Sequence, residues 1–131
     1  MKTNVALIVG GWLLEHGCPT NTKGFSHLKD CIVLAINNPT EAQSVQKFLY
    51  DSIAVRENTT KQCVDRNIRT VLDMWWPKLS QYPYFMEEPT NKELILRLTE
   101  IIRAEVARAD NNRRPRPSMN HISIYERVFN P

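Results

Sequence analysis

Apolar residues recur at spacings of three and four along most of the chain, the period of one helix face, and no segment alternates long enough to read as a half-buried strand. Asn4 stands before the apolar run 5–14, and Gly17 and Pro19 follow it, which predicts a first helix over 5–16. A second helix opens at Gly24 with Phe25, Leu28, Ile32 and Ile36 on one face, and Asn37-Asn38-Pro39 stops it. Thr40 with Gln43 has the form of a capping box for a third helical region that runs to Glu57. Val45, Phe48, Leu49, Ile53 and Ala54 are its core candidates, in one bent helix or two short ones with the break placed at Tyr50-Asp51-Ser52. Asn58-Thr59-Thr60 then interrupts the pattern. Thr59 with Gln62 makes another capping box, opening a strongly periodic helix that Trp76-Pro77 is expected to end. Residues 77–89, with Pro77, Pro83, Pro89, Tyr82, Tyr84 and Phe85, read as a packed loop with room for one short turn of helix. Thr90 and Glu93 cap a last helix whose inner face is Leu94, Leu98, Ile101 and Ile102, fading near Asp110.

These elements predict an all-α fold: a compact bundle of about six helices in a domain over 1–110, with a basic tail over 111–131. A chain of 131 residues with 42% hydrophobic content can bury a core of its own. The net charge is only +3, and all of the excess lies beyond residue 102. Arg113, Arg114 and Arg116 in the proline-containing tail read equally as a phosphate-contacting arm or as solvated charges. Residues 121–129 regain apolar content (Ile122, Ile124, Tyr125, Val128, Phe129) that could dock elsewhere.

Candidate chemistry is sparse. Cys18, Cys31 and Cys63 form no C-x-x-C pair and read as reduced thiols of a cytoplasmic protein. His16, His27 and His121 are scattered, so neither a metal nor another cofactor is expected. The N-terminal apolar run is too short to span a membrane and no small-x-small cleavage site follows it, so it reads as a buried helix instead of a signal peptide. No nucleophile elbow or phosphate loop is present, and neither an enzyme nor a catalytic residue is expected. Gly10-Gly11 reads as a close helix contact and Trp75-Trp76 as core.

The informative segment is 46–76, which reads helix, tight polar turn, helix: a helix-turn-helix. At about 100° per residue, Val64, Ile68, Val71, Leu72 and Trp75 share one face of its second helix. Gln62, Asp65, Arg66, Arg69 and Thr70 take the opposite face, an inventory able to pair with base edges. Thr59, Thr60 and Lys61 lie at the helix N-terminus, where free amides suit a phosphate. Periodicity alone would also fit any surface helix of an all-α protein.

From residue 16 to about 102 the chain resembles the C-terminal DNA-binding effector domain of the master sporulation response regulator of endospore-forming Firmicutes. The resemblance rests on an ordered set: His16 to Pro19, Lys23-Gly24-Phe25, Lys47-Phe48-Leu49-Tyr50 with Ile53-Ala54, Asn58-Thr59-Thr60, Val64-Asp65-Arg66 with Ile68-Arg69, Trp75, and Pro89-Thr90-Asn91. It implies a six-helix domain that binds double-stranded DNA at promoter boxes of the TGTCGAA type, as tandem copies that would bring two protein molecules together as a homodimer. It also implies a recognition helix starting at Thr60, with Asp65, Arg66 and Arg69 at base- or backbone-contacting positions. Cys63 stands where the family usually has a base-reading arginine, Glu87-Glu88 where its loop is basic, and Asp51 where it has proline. The loop before Pro89 is shorter, and no receiver domain precedes the effector region, so the chain reads as a stand-alone regulator. The rival reading is a protein-interaction module acting on a related regulator or RNA polymerase without specific DNA binding.

Overall fold

The computed structural model describes residues 3–113, and the side chain of Arg113 is not among the described atoms. The expectations for Arg114, Arg116, His121 and 121–129 lie outside the described residues. Among the described residues the fold is all-α, with five α-helices, one π-helical turn and no strand. Helix α1 is Val5–Glu15, α2 is Lys23–Asn37, α3 is Asp51–Arg56, α4 is Lys61–Leu79 and α5 is Asn91–Arg113; the π-helical turn, Val45–Tyr50, runs directly into α3.

Helix α1 starts as its sequence dictates, with the Asn4 side chain accepting from Leu7 N at 3.1 Å. It ends in a Schellman motif: Gly17 takes a left-handed φ of +79°, its N–H reaches Leu14 O at 3.1 Å, and Cys18 N reaches Leu13 O at 3.0 Å. The helix is apolar all round, so it buries Val9, Trp12 and Leu13 yet leaves Leu7 and Leu14 exposed. The expected buried first helix is thus buried along one face.

Helix α2 is the central strut. Its buried stripe Leu28, Cys31, Ile32 and Ala35 packs against α1, α4 and α5. It crosses α4 at Gly24, where an added Cβ would lie 2.2 Å from Asn67 O and 2.3 Å from Val71 Cγ2. The glycine pair in α1 carries no such constraint. A Cβ on Gly10 would make ordinary contact with Lys29 at 3.6 Å, and one on Gly11 would meet open space. The close helix approach expected at Gly10-Gly11 thus occurs at Gly24 instead.

The third region departs from its pattern. Thr40 caps nothing; residues 39–43 form turns, and the helix begins at Val45 behind Ser44. The two halves run on as one continuous helical region whose change of geometry falls at Tyr50-Asp51, where the sequence pattern places the break. Leu49 N reaches back five residues to Ser44 O at 3.3 Å, the wider π-type bond, and the backbone tightens to α geometry from Asp51. The extra residue in the wide turn lets Val45, Leu49 and Tyr50 stay buried alongside Ile53 and Ala54.

Helix α4 passes through Pro77 and ends at Leu79, beyond the stop expected at Trp76-Pro77. Proline in the last turn forfeits a single hydrogen bond. Leu79 is fully buried and Ser80 N closes on Trp76 O at 2.8 Å, which holds that last turn. The capping box at α5 forms in both directions: Thr90 N donates to Glu93 Oε1 at 2.8 Å and Glu93 N donates to Thr90 Oγ1 at 3.1 Å. Helix α5 buries Leu94, Ile95, Leu98 and Ile102, with Ile101 only partly covered, and it continues past Asp110 to Arg113. The loop 80–90 is packed through its aromatics: Tyr82 stacks on Tyr84, and both approach His16, itself stacked on Trp12 at 3.7 Å.

Gly24→Ala should destabilise the domain by about 2–3 kcal/mol, because the methyl group meets backbone that cannot yield cheaply. Gly11→Ala should be neutral or stabilise by about 0.5–1 kcal/mol through helix propensity alone. Urea denaturation of the two variants beside the wild type measures the contrast.

Candidate nucleic-acid interface

The turn between α3 and α4 is built by local chemistry. Asn58 takes a left-handed φ of 53°, which asparagine tolerates better than most residues with a Cβ. A second Schellman motif closes there, with Thr59 N bonding to Ala54 O at 2.9 Å and Asn58 N to Val55 O at 3.3 Å. Thr60 then returns to extended backbone, and its Oγ1 accepts from Cys63 N at 3.1 Å. The cap of α4 is therefore Thr60 and not the expected Thr59.

Inside, Val64, Ile68, Val71, Leu72 and Trp75 are all buried, and Trp75 Nε1 donates to His16 O at 2.9 Å. The polar seam behind the turn was not legible in the sequence. Buried His27 on α2 lies 3.0 Å by Nε2 from Glu57 Oε1 and 3.4 Å by Nδ1 from Asn67 Nδ2, which ties α2, the turn and α4 together. With Nε2 donating to the carboxylate, Nδ1 accepts from the amide. The His27 hydrogen bond, helped by Arg56, holds the Glu57 carboxyl below its ordinary range. Arg56 also pairs with Asp30 of α2.

Outside, the expected site residues separate into groups. Thr60, Gln62, Arg66, Arg69 and Thr70 are exposed, while Thr59, Lys61 and Asp65 are half-buried. Arg66 makes no ion pair among the described residues and stands beside the Cys63 thiol. Hydrogen bonding from Thr59, then from Arg66, draws that thiol below its usual range. Thr70 turns its hydroxyl back onto Arg66 O at 3.0 Å. Asp65 is engaged within the fold. Asn91 Nδ2 donates to its backbone oxygen at 2.8 Å and to its carboxylate at 2.9 Å. Tyr50 lies against it, its phenol pushed up by burial first and by Asp65 second. Arg69 is held by two carboxylates, Asp73 Oδ1 at 3.0 Å from its Nε, and Glu88 on its Nη2.

Beside this face a groove of about 710 Å³ runs between the π-helical turn, α4 and the start of α5, with Lys47 and Lys92 on its rim and Tyr50, Asp65 and Asn91 inside. Of the remaining thiols, Cys18 and Cys31 are buried, and burial pushes Cys18 up to about 12. No group of three or more His, Cys, Asp or Glu among the described residues is arranged to hold a metal ion. No described helix is long and apolar enough to cross a membrane.

A short helix, a tight turn and a long second helix with its polar face outward define a helix-turn-helix domain, the class that lays one helix into the major groove. The chain matches the family described as Sporulation initiation factor Spo0A C terminal over residues 9–102, and it belongs to that family. The family is the DNA-binding effector domain of a sporulation regulator and not an enzyme family.

Two outcomes follow from the turn. Asn58→Val should cost about 1–2 kcal/mol, since a β-branched residue resists left-handed backbone, while Asn58→Gly should be tolerated; thermal melts distinguish them. The Glu57 shift has a definite sign as well. A depressed carboxyl stabilises the fold in full above its unfolded value near 4.5, and that stability is lost as pH falls through the lower folded value. Glu57→Gln should therefore flatten the acid limb of a stability-against-pH curve below about pH 5.

Proposed function

We propose that the protein is a sequence-specific regulator of transcription that reads double-stranded DNA with the outer face of α4. The observation that carries this reading is Arg66: exposed, without an ion pair among the described residues, and close to the capped N-terminus of the second helix of the motif. Residues near that end are the ones a helix-turn-helix brings to base edges. Gln62 sits one turn earlier on the same face, and Lys61 with the amides behind Thr59 and Thr60 suits a phosphate. Lys47 and Lys92 on the groove rim supply further cations within the same surface. In this reading Asp65 acts through the clamp with Asn91, setting the angle of the helix, while Arg69 is a conditional contact. The boxes are of the TGTCGAA type, tandem copies bring two molecules together as a homodimer, and RNA polymerase or a related regulator is the protein partner. Arg113, Arg114 and Arg116 add phosphate contacts from the tail.

The test is a gel shift over a salt series with promoter duplexes. Arg66→Ala should cost about 1–3 kcal/mol and relax preference at one base pair. Cys63→Arg should sharpen preference for the family box by restoring a guanine reader. Deleting 114–131 should weaken binding to all sequences alike and flatten the salt slope. A wild type with no sequence preference even at low salt, joined by a Cys63→Arg variant that gains none, would leave the protein-interaction module as the function.

A further inference from the structure

The loop before α5 sets a carboxylate on the reading face itself. Glu88 bonds to Arg69 Nη2 while Asp73, one turn along α4, accepts from Arg69 Nε at 3.0 Å. A guanidinium reads guanine O6 and N7 by presenting two N–H groups along one edge. Here the Nε–Nη2 edge already faces two carboxylates. Glu88 is placed by α5 and not by α4: buried Pro89 follows it, and the reciprocal Thr90–Glu93 cap fixes the chain immediately beyond. The acidic side chains Asp73 and Glu88 gather toward the C-terminal half of the outer face, whereas Lys61, Gln62 and Arg66 occupy the N-terminal half.

We infer that Glu88 is a specificity-determining residue of the α4 interface: it competes with guanine for Arg69, and so confines base reading to the Gln62–Arg66 end of the helix. This inference rests on α4 being the DNA-reading helix. The competition is reversible. With Arg69 45% and Glu88 34% exposed, the pair is solvent-screened and weak. A guanine edge that Arg69 could reach in bidentate fashion is of comparable strength or better. Glu88 therefore acts as a filter, raising the threshold at one base position without blocking DNA as a whole.

The experiment selects bound sequences from a randomised duplex pool with the full chain as wild type, Glu88→Gln, Glu88→Ala, Arg69→Ala and the Glu88→Gln/Arg69→Ala double variant. Arg66→Ala is the control for reading by α4. Circular dichroism melts check that each variant keeps its helical fold, which loss of a screened surface pair should leave nearly unchanged. Removing the Glu88 charge should add a guanine preference at one further position and tighten binding to the selected duplex by about three- to tenfold. Both gains should vanish when Arg69 is also removed. Gains that persist without Arg69 would mean general repulsion of phosphate and would overturn the inference. Weaker binding by Glu88→Gln and Glu88→Ala would mean that Glu88 orients Arg69 toward the base, and would overturn it too. If the Glu88 variants match wild type while Arg66→Ala destroys selection, the inference fails and reading by α4 stands. If wild type and every variant select nothing, reading by α4 fails and the filter with it.

Discussion

Helix α2 meets α4 at Gly24 with no side chain of its own between them, and the orientation of α4 depends on that contact. A single methyl group there would overlap the Asn67 carbonyl and Val71. Because the two backbones lie so close, His27, one turn along α2, reaches both Asn67 on α4 and Glu57 at the turn. The same approach presses Val64, Ile68, Val71 and Leu72 into the core, and a rigid helix with one face buried must present the other to solvent. The outward display of Gln62 and Arg66 thus follows from packing at a residue that has no side chain.

Electrostatics then grade the exposed face. Its N-terminal half is cationic and capped, with Thr60 holding the first turn and Arg66 available. Asp65 is held instead by the neutral amide of Asn91, and farther along Arg69 is met by the carboxylates of Asp73 and Glu88. Asp73 lies on α4 itself, whereas Asn91 and Glu88 come from the start of α5 and the loop before it, so the docking of α5 shapes this polar face. The polar face is a junction of three elements, and in the proposed reading a substitution in the loop alters base preference as directly as one in the helix.

Much of this was legible in the sequence where the physics is local. Asn4, the Asn58 turn and the Thr90–Glu93 box act within one or two turns, and each gave its element correctly. The inner face of α4 followed from period alone. Where the outcome depends on a distant partner, the sequence was silent or misleading. Gly10-Gly11 looked like the close contact, yet only the tertiary crossing singles out Gly24. Pro77 looked like a stop, but the buried Leu79 beyond it outweighs one lost hydrogen bond. Asp65 and Arg69 share a helical face with Arg66, and nothing in their spacing reveals that Asn91 and Glu88 engage them from another element. The ordered set of short motifs did reveal the family, because order and spacing carry more information than any one motif.

The central claim is that the outer face of α4 meets the duplex, and amide chemical-shift mapping tests it most directly. A uniformly labelled chain would be titrated with a duplex carrying a TGTCGAA-type box and with a scrambled duplex of equal length and salt. The account predicts that the largest shifts fall at 60–70 of α4, centred on Gln62 and Arg66, that they are larger with the box, and that α1 and the centre of α5 remain unchanged. Shifts of equal size with both duplexes, or shifts concentrated on α1 with residues 60–70 unmoved, would contradict it.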